Sequence, residues 1–236
     1  MSGPLPNHRW HRALGVTLAW LVPAVAHAHG VAAGDKGYIL ETFGVRLVPF
    51  MYLGAKHMVT GYDHLLFLVG VIFYLYRLKD IGVYVTLFAV GHSITLLAGV
   101  LGDVQVNAYL IDAIIGASVV YKAADNLGWI DRWFSRAPDA RVMTMTFGLC
   151  HGLGLATKML DFELAKDGLV SNLIAFNVGV ELGQLLALAM ILIAISYWRR
   201  QASFSRYANA ANVGLLCSGM ALVVYQMAGY FTSTSA

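Results

Sequence analysis

GLVSNLIAFNVGVELGQLLALAMILIAISYW, from Gly168 to Trp198, carries a single charged side chain, Glu181. A hydrocarbon core about 30 Å thick is crossed by about 20 apolar residues rising 1.5 Å each, so this run is long enough to pass through a bilayer. At that depth no water satisfies backbone N–H and C=O groups, and a single segment must therefore be a helix. Asn177, Glu181 and Gln184 fall at i, i+4 and i+7 and form one polar stripe on it. A carboxylate at membrane depth costs roughly 2.5 to 3.5 kcal/mol on insertion scales, so the stripe is expected to face the protein interior or a water-filled cavity.

The rest of the chain follows the same pattern. Of its 236 residues 58% are hydrophobic and only 12% charged, and the mean hydropathy is +0.66. Such a composition excludes a soluble globule and points to an all-α, polytopic transmembrane helical bundle. Further spans are expected at Gly61 to Leu78, Gly82 to Leu101, Asn107 to Asn126, Arg141 to Leu160 and Ala208 to Phe231, making about six in one membrane domain over residues 61–232. The net charge of +3 lies mostly in the loops, and nothing resembles a nucleic-acid face. Cys150 and Cys217 both sit in apolar runs, where a thiol behaves as a small hydrophobe and a disulfide framework is out of place.

Residues 1–28 read as a cleaved signal peptide, with Arg9 and Arg12 before an apolar stretch and Ala26-His27-Ala28 as the cleavage site. His29 would then be the mature N-terminus, outside the cytoplasm, where its amine and imidazole can capture a metal ion. Residues 29–60 are expected to be a periplasmic segment. Its stretch from Glu41 to Met58 holds Arg46, Pro49 and Lys56 and reads as an amphipathic or partly inserted helix. Loop charges agree with this orientation. Arg77, Lys79, Lys122, Arg132, Arg136, Arg141, Arg199, Arg200 and Arg206 fall inside, against Lys36, Arg46, Lys56, Lys158 and Lys166 outside. The connection from 122 to 141, with Trp129, Trp133 and Pro138, reads as an interfacial loop or short helix.

Within the apolar spans stand four histidines and three carboxylates: His57, Asp63, His64, His92, Asp112, His151 and Glu181. Under this topology all seven can converge in the outer half of the bundle. His57 and His64 are two helical turns apart, but Gly61 between them makes a helix break plausible, as at transporter sites built on interrupted helices. Ser93, Thr95, Ser118, Asn177 and Gln184 are positioned to orient the ligands. A lone intramembrane histidine is usually interhelical hydrogen-bond glue, worth about 0.6 kcal/mol. Imidazole with carboxylate and little thiolate suits a first-row divalent ion such as Ni, Co or Zn, not a closed structural zinc site. The glycines at 148, 152, 154, 179 and 183 read as close-packing positions between helices.

Four blocks carry a family resemblance: Gly61-Tyr62-Asp63-His64-Leu65-Leu66-Phe67, Gly91-His92-Ser93-Ile94-Thr95-Leu96, Phe147-Gly148-Leu149-Cys150-His151-Gly152-Leu153-Gly154 and Phe176-Asn177-Val178-Gly179-Val180-Glu181-Leu182-Gly183-Gln184. In this order, over residues 50 to 232, they resemble the HupE/UreJ membrane proteins, and the Gly-Tyr-Asp-His-Leu-Leu-Phe block is similar to the second-type branch. The resemblance implies a leader peptide, about six helices and a role as a nickel or cobalt permease serving hydrogenase or urease, with the first-span histidine motif handling the metal. Asp112 stands where the family tends to carry Glu, and Cys150 where an apolar residue is usual. The expected function is a bacterial inner-membrane permease for a divalent transition metal, with metalloenzyme maturation proteins and membrane lipid as partners. Two rivals remain open: a zinc-dependent intramembrane hydrolase, and an accessory or assembly factor with no metal dependence of its own.

Overall fold

The computed structural model describes residues 44–133, 138–160 and 167–234, and among them every regular element is a helix. In chain order these are α1 (Leu47–Thr60), α2 (Tyr62–Ile72), α3 (Leu78–Leu101), α4 (Ala108–Asn126), α5 (Ile130–Trp133), α6 (Ala140–Leu160), α7 (Leu169–Arg199) and α8 (Ala202–Thr234). The stretches Leu78–Leu101, Leu169–Arg199 and Ala202–Ser233 are long and apolar enough to cross a membrane. The protein is thus an all-α membrane protein. In α4 and α6, of 19 and 21 residues, Asp112, Lys122 and Asp125 and then Arg141, His151 and Lys158 interrupt the apolar run. The expected signal peptide and His29 lie outside the described residues.

The first span differs from the expected Gly61 to Leu78. Two helices stand there: α1, which begins inside the helix expected over Glu41 to Met58 and ends at Thr60, and the short apolar α2, which ends at Ile72, with Gly61 between them in an extended conformation (φ −72°, ψ 102°). Both run parallel to α7. The Arg46 N–H donates to Asn172 Oδ1 at 2.7 Å, Met51 and Ala55 abut Gly179 and Gly183, and Arg199 reaches the carbonyls after α2. By residue type alone, Arg46, Pro49 and Lys56 suggest a surface segment. Pro49 is harmless, however, because it occupies the first turn, where no intrahelical N–H is needed. Lys56 lies in the helix, as expected.

Three close helix pairs enclose α2. In membranes pairing relies on packing, since lipid is as apolar as leucine, and small residues let backbones approach. Gly54, Gly179 and Gly183 bring α1 onto α7, Gly91, Gly148 and Gly152 bring α3 onto α6 in parallel, and Gly116 and Gly219 bring α4 against α8 antiparallel. In the middle, α2 buries Phe67, Leu68, Val71 and Ile72. Asn126 fastens it by donating to Gly70 O at 2.8 Å and to Asn212 Oδ1 at 2.9 Å. The 122–141 connection does contain a short helix, α5, with Trp129 and Trp133 ring centroids 5.7 Å apart.

At the far end of α2 the guanidinium of Arg199 donates to Leu75 O at 2.9 Å, Phe73 O at 2.6 Å and Ile72 O, and lies 4.3 Å from the Tyr76 ring centroid. The last carbonyls of a helix have no partner of their own and carry partial negative charge, so one cation there satisfies several at once. Arg199→Ala is expected to destabilise the protein by roughly 2 kcal/mol, the scale of hydrogen bonds from a charged donor. Arg199→Lys should recover only part of this, because a point charge lacks the planar fork. Thermal unfolding of both variants in detergent checks the order.

Candidate metal centre

Gly61 is what lets the two halves of the first span meet around a polar centre. A Cβ there would lie 2.8 Å from His64 Nδ1, 3.0 Å from His57 O and 3.2 Å from Asp63 Oδ1, so any side chain would crowd all three. Beyond the break, Asp63 and His64 occupy the first turn of α2, with the carboxylate at the positive end of that helix. His57 comes from the last turn of α1, at its negative end.

Asp63, His64, His92 and His151 are all at most 2% exposed, although each carries polar atoms. His64 Nδ1 lies 3.1 Å from Asp63 Oδ1, and His151 Nδ1 lies 3.9 Å from Asp63 Oδ2. One ligand atom from each of Asp63, His64 and His151 falls within 4.8 Å of the others. The His64 ring centroid is 4.9 Å from that of His151, 5.1 Å from His57 and 5.9 Å from His92. Both ring nitrogens of His92 are buried with no hydrogen-bond partner among the described residues. Buried polar atoms are seldom left so, because the lost hydration is not replaced. An ion bound among imidazoles and a carboxylate would replace it, and the absence of a cysteine from the cluster keeps the donor set to nitrogen and oxygen.

The cluster is framed by aromatic rings. Phe88 lies 4.9 Å from His151 and stacks on His92 at 6.2 Å, and Phe67 lies 5.8 Å from His151 and 5.2 Å from Phe88. On the side of His57, which is half-buried, Phe176 sits 6.2 Å away. From Leu65 to Ile72, below the histidines, α2 has only apolar side chains and a glycine. None of these phenylalanines was legible as part of a site, since Phe is the expected filler of any membrane helix.

Ser118 is placed to orient an imidazole. Its hydroxyl donates to Ile115 O at 2.7 Å, so its lone pairs face His151 Nε2 at 3.4 Å and accept from it. With Nε2 protonated this contact is made, and the Nδ1 lone pair is presented on the Asp63 side. Thr95 and Gln184, expected beside the ligands, instead hold helices together. Thr95 donates to Leu149 O at 2.7 Å across α3 and α6, and Gln184 to Val85 O at 3.3 Å across α7 and α3. Asn177 donates to Leu173 O within its own helix, and Ser93 makes no side-chain hydrogen bond among the described residues.

Two expected ligands are not brought to the cluster. Glu181 is exposed on the outer face of α7, beside Val178 and Leu182. Four residues advance a helix by about 400°, which leaves Glu181 some 40° round from Asn177 and past the packed edge. Asp112 is buried but joined to Lys158, 2.6 Å away in the last turn of α6. Lys158, expected as an outer loop charge, is thus part of the bundle. Cys150 is half-buried and Cys217 exposed, both as free thiols.

A family model described as HupE / UreJ protein matches residues 33–234. No curated protein and no solved structure matches the chain.

Proposed function

The chain belongs to the HupE/UreJ family, and from that premise we propose that it is a six-span bacterial inner-membrane permease carrying a divalent transition metal, nickel or cobalt first, from the periplasm. The observation that carries the reading is the buried set of Asp63, His64, His92 and His151, with the two nitrogens of His92 without a hydrogen-bond partner among the described residues. In this reading the ion is cargo. His57, half-buried at the break, receives it, and His64, His92, His151 and Asp63 hold it midway. The broken helix favours this use, because the negative end of α1 and the Asp63 carboxylate both face a cation there while the bundle around them stays intact. Nitrogen and oxygen donors of this kind also bind copper and zinc, so selectivity rests on geometry and supply rather than on affinity.

Release toward the cytoplasm requires the apolar stretch of α2 and the Phe67 and Phe88 rings to part. The same closed floor favours the second reading, a zinc-dependent hydrolase open from one side only. Against it, the Ser118 hydroxyl already donates to Ile115 O and is not poised to donate to a developing oxyanion. In the third reading, an accessory factor for metalloenzyme maturation, the histidines bind nothing.

The test is uptake of Ni²⁺, Co²⁺ and Zn²⁺ by proteoliposomes of the purified chain, with and without an imposed pH gradient. Saturable uptake of one ion supports the permease. No uptake, with one tightly held metal per chain after purification, would overturn it in favour of the hydrolase. Ser118→Ala supplies a finer check, since loss of a hydrogen-bond partner behind a ligating histidine costs about 10- to 100-fold in metal affinity. In a His151→Ala background the same change should cost nothing further in Co²⁺ binding, because the group it orients is gone.

A further inference from the structure

Asp112 and Lys158 lie on the same α4–α6 seam as the Ser118–His151 contact. Asp112 precedes Ser118 by six residues and Lys158 follows His151 by seven, so the ion pair stands about 10 Å along the seam from the histidine centre. Asp112 is 5% exposed. Lys158 Nζ donates to its Oδ2 at 2.6 Å, whereas Oδ1 is buried with no hydrogen-bond partner among the described residues. A pair retained only for stability normally has its remaining lone pairs satisfied, because a half-solvated buried carboxylate is costly. Here a second acceptor oxygen is left over beside an ammonium on a flexible four-carbon stem, in the last turn of α6.

We propose that Asp112 is a separate cation station on the access route to the histidine centre, occupied at rest by the Lys158 ammonium, which an incoming divalent ion displaces. The proposal rests on reading that centre as a metal site. A divalent ion can engage both oxygens of the carboxylate, where the ammonium holds one. Apparent affinity at the station is then lowered by the fraction of time that Lys158 vacates it.

The experiment is equilibrium binding of Co²⁺ to the full chain in lipid nanodiscs, for the wild type, Lys158→Gln, Lys158→Arg, Asp112→Asn and the Lys158→Gln/Asp112→Asn double variant. Lys158→Gln is expected to bind Co²⁺ about tenfold more tightly in a component absent from the double variant, as removal of a competitor that is present most of the time requires. Lys158→Arg keeps the pair and can hold both oxygens with its fork, so it should weaken that component. The proposal is overturned if Lys158→Gln and the double variant bind Co²⁺ alike, or if Lys158→Arg binds as Lys158→Gln does; the pair would then be a clamp between α4 and α6. Repeating the series in a His64→Ala background separates the two readings. Loss of histidine-dependent binding tests the central site, while the difference between Lys158→Gln and the double variant tests Asp112 alone.

Discussion

His64→Ala is expected to abolish metal binding at the centre, lowering affinity for Co²⁺ by about 100-fold or more, beyond the range seen when only a partner behind a ligand is lost. His64 is the hub of the cluster: its ring is the one that neighbours those of His57, His92 and His151, and its Nδ1 faces Asp63. Its removal thus breaks its three histidine ring pairings and its Asp63 contact, leaving His151 Nδ1 at 3.9 Å from Asp63 Oδ2. His92→Ala should cost less, since His92 reaches the others only through His64 at 5.9 Å. Isothermal titration of purified protein with Co²⁺ measures both, and uptake into proteoliposomes should fall in the same order. Thermal stability is the control. His92 is fully buried with unsatisfied nitrogens, so His92→Leu, which refills most of the space without polar atoms, should leave the apo protein's unfolding temperature unchanged or raised. Retained Co²⁺ affinity in His64→Ala would sink the central site.

The second large effect is structural. Gly152→Ala is expected to destabilise the protein by about 1–3 kcal/mol, the usual cost of overpacking a close-packed site. The added methyl would run into the His92 carbonyl and the Thr95 hydroxyl, both on α3, and backbone cannot move aside as a flexible side chain can. To relieve the clash α3 must retreat from α6. That strains the Thr95 bond to Leu149 O and draws His92 away from His64, so Co²⁺ affinity should fall along with the unfolding temperature. Gly148→Ala should behave similarly, because its Cβ meets the Phe88 backbone. Gly82→Ala and Gly214→Ala are the controls, as nothing lies within 4 Å of a Cβ at either position. Both should be neutral or slightly stabilising, alanine being the better helix former.

Legibility in the sequence differs from element to element. That Gly61 interrupts a helix was legible, because a glycine between two histidines in an apolar run lowers helix propensity where the polar side chains need the backbone to open. The helix before it was expected as well, but not its packing along α7, because Arg46, Pro49 and Lys56 look like surface residues until Asn172 and α7 are in place to receive them. The glycines at 148, 152, 179 and 183 announced close packing, but not which helices they join. The family assignment was likewise legible from four short blocks and agrees with the match over residues 33–234.

Sequence alone determined what is set by composition and local spacing: an all-helical membrane chain, four histidines and three carboxylates whose cost in apolar surroundings must be relieved, and Asp63 and His64 beside a break. Tertiary structure decided which of these residues stand together. A polar residue on a membrane helix is costly, but its cost can be relieved by a metal, by an ion pair or by turning to the outer face, and spacing along one helix does not distinguish these. Helix rotation and the partner helix do. They place His92 and His151 against His64, give Asp112 to Lys158, and leave Glu181 outside.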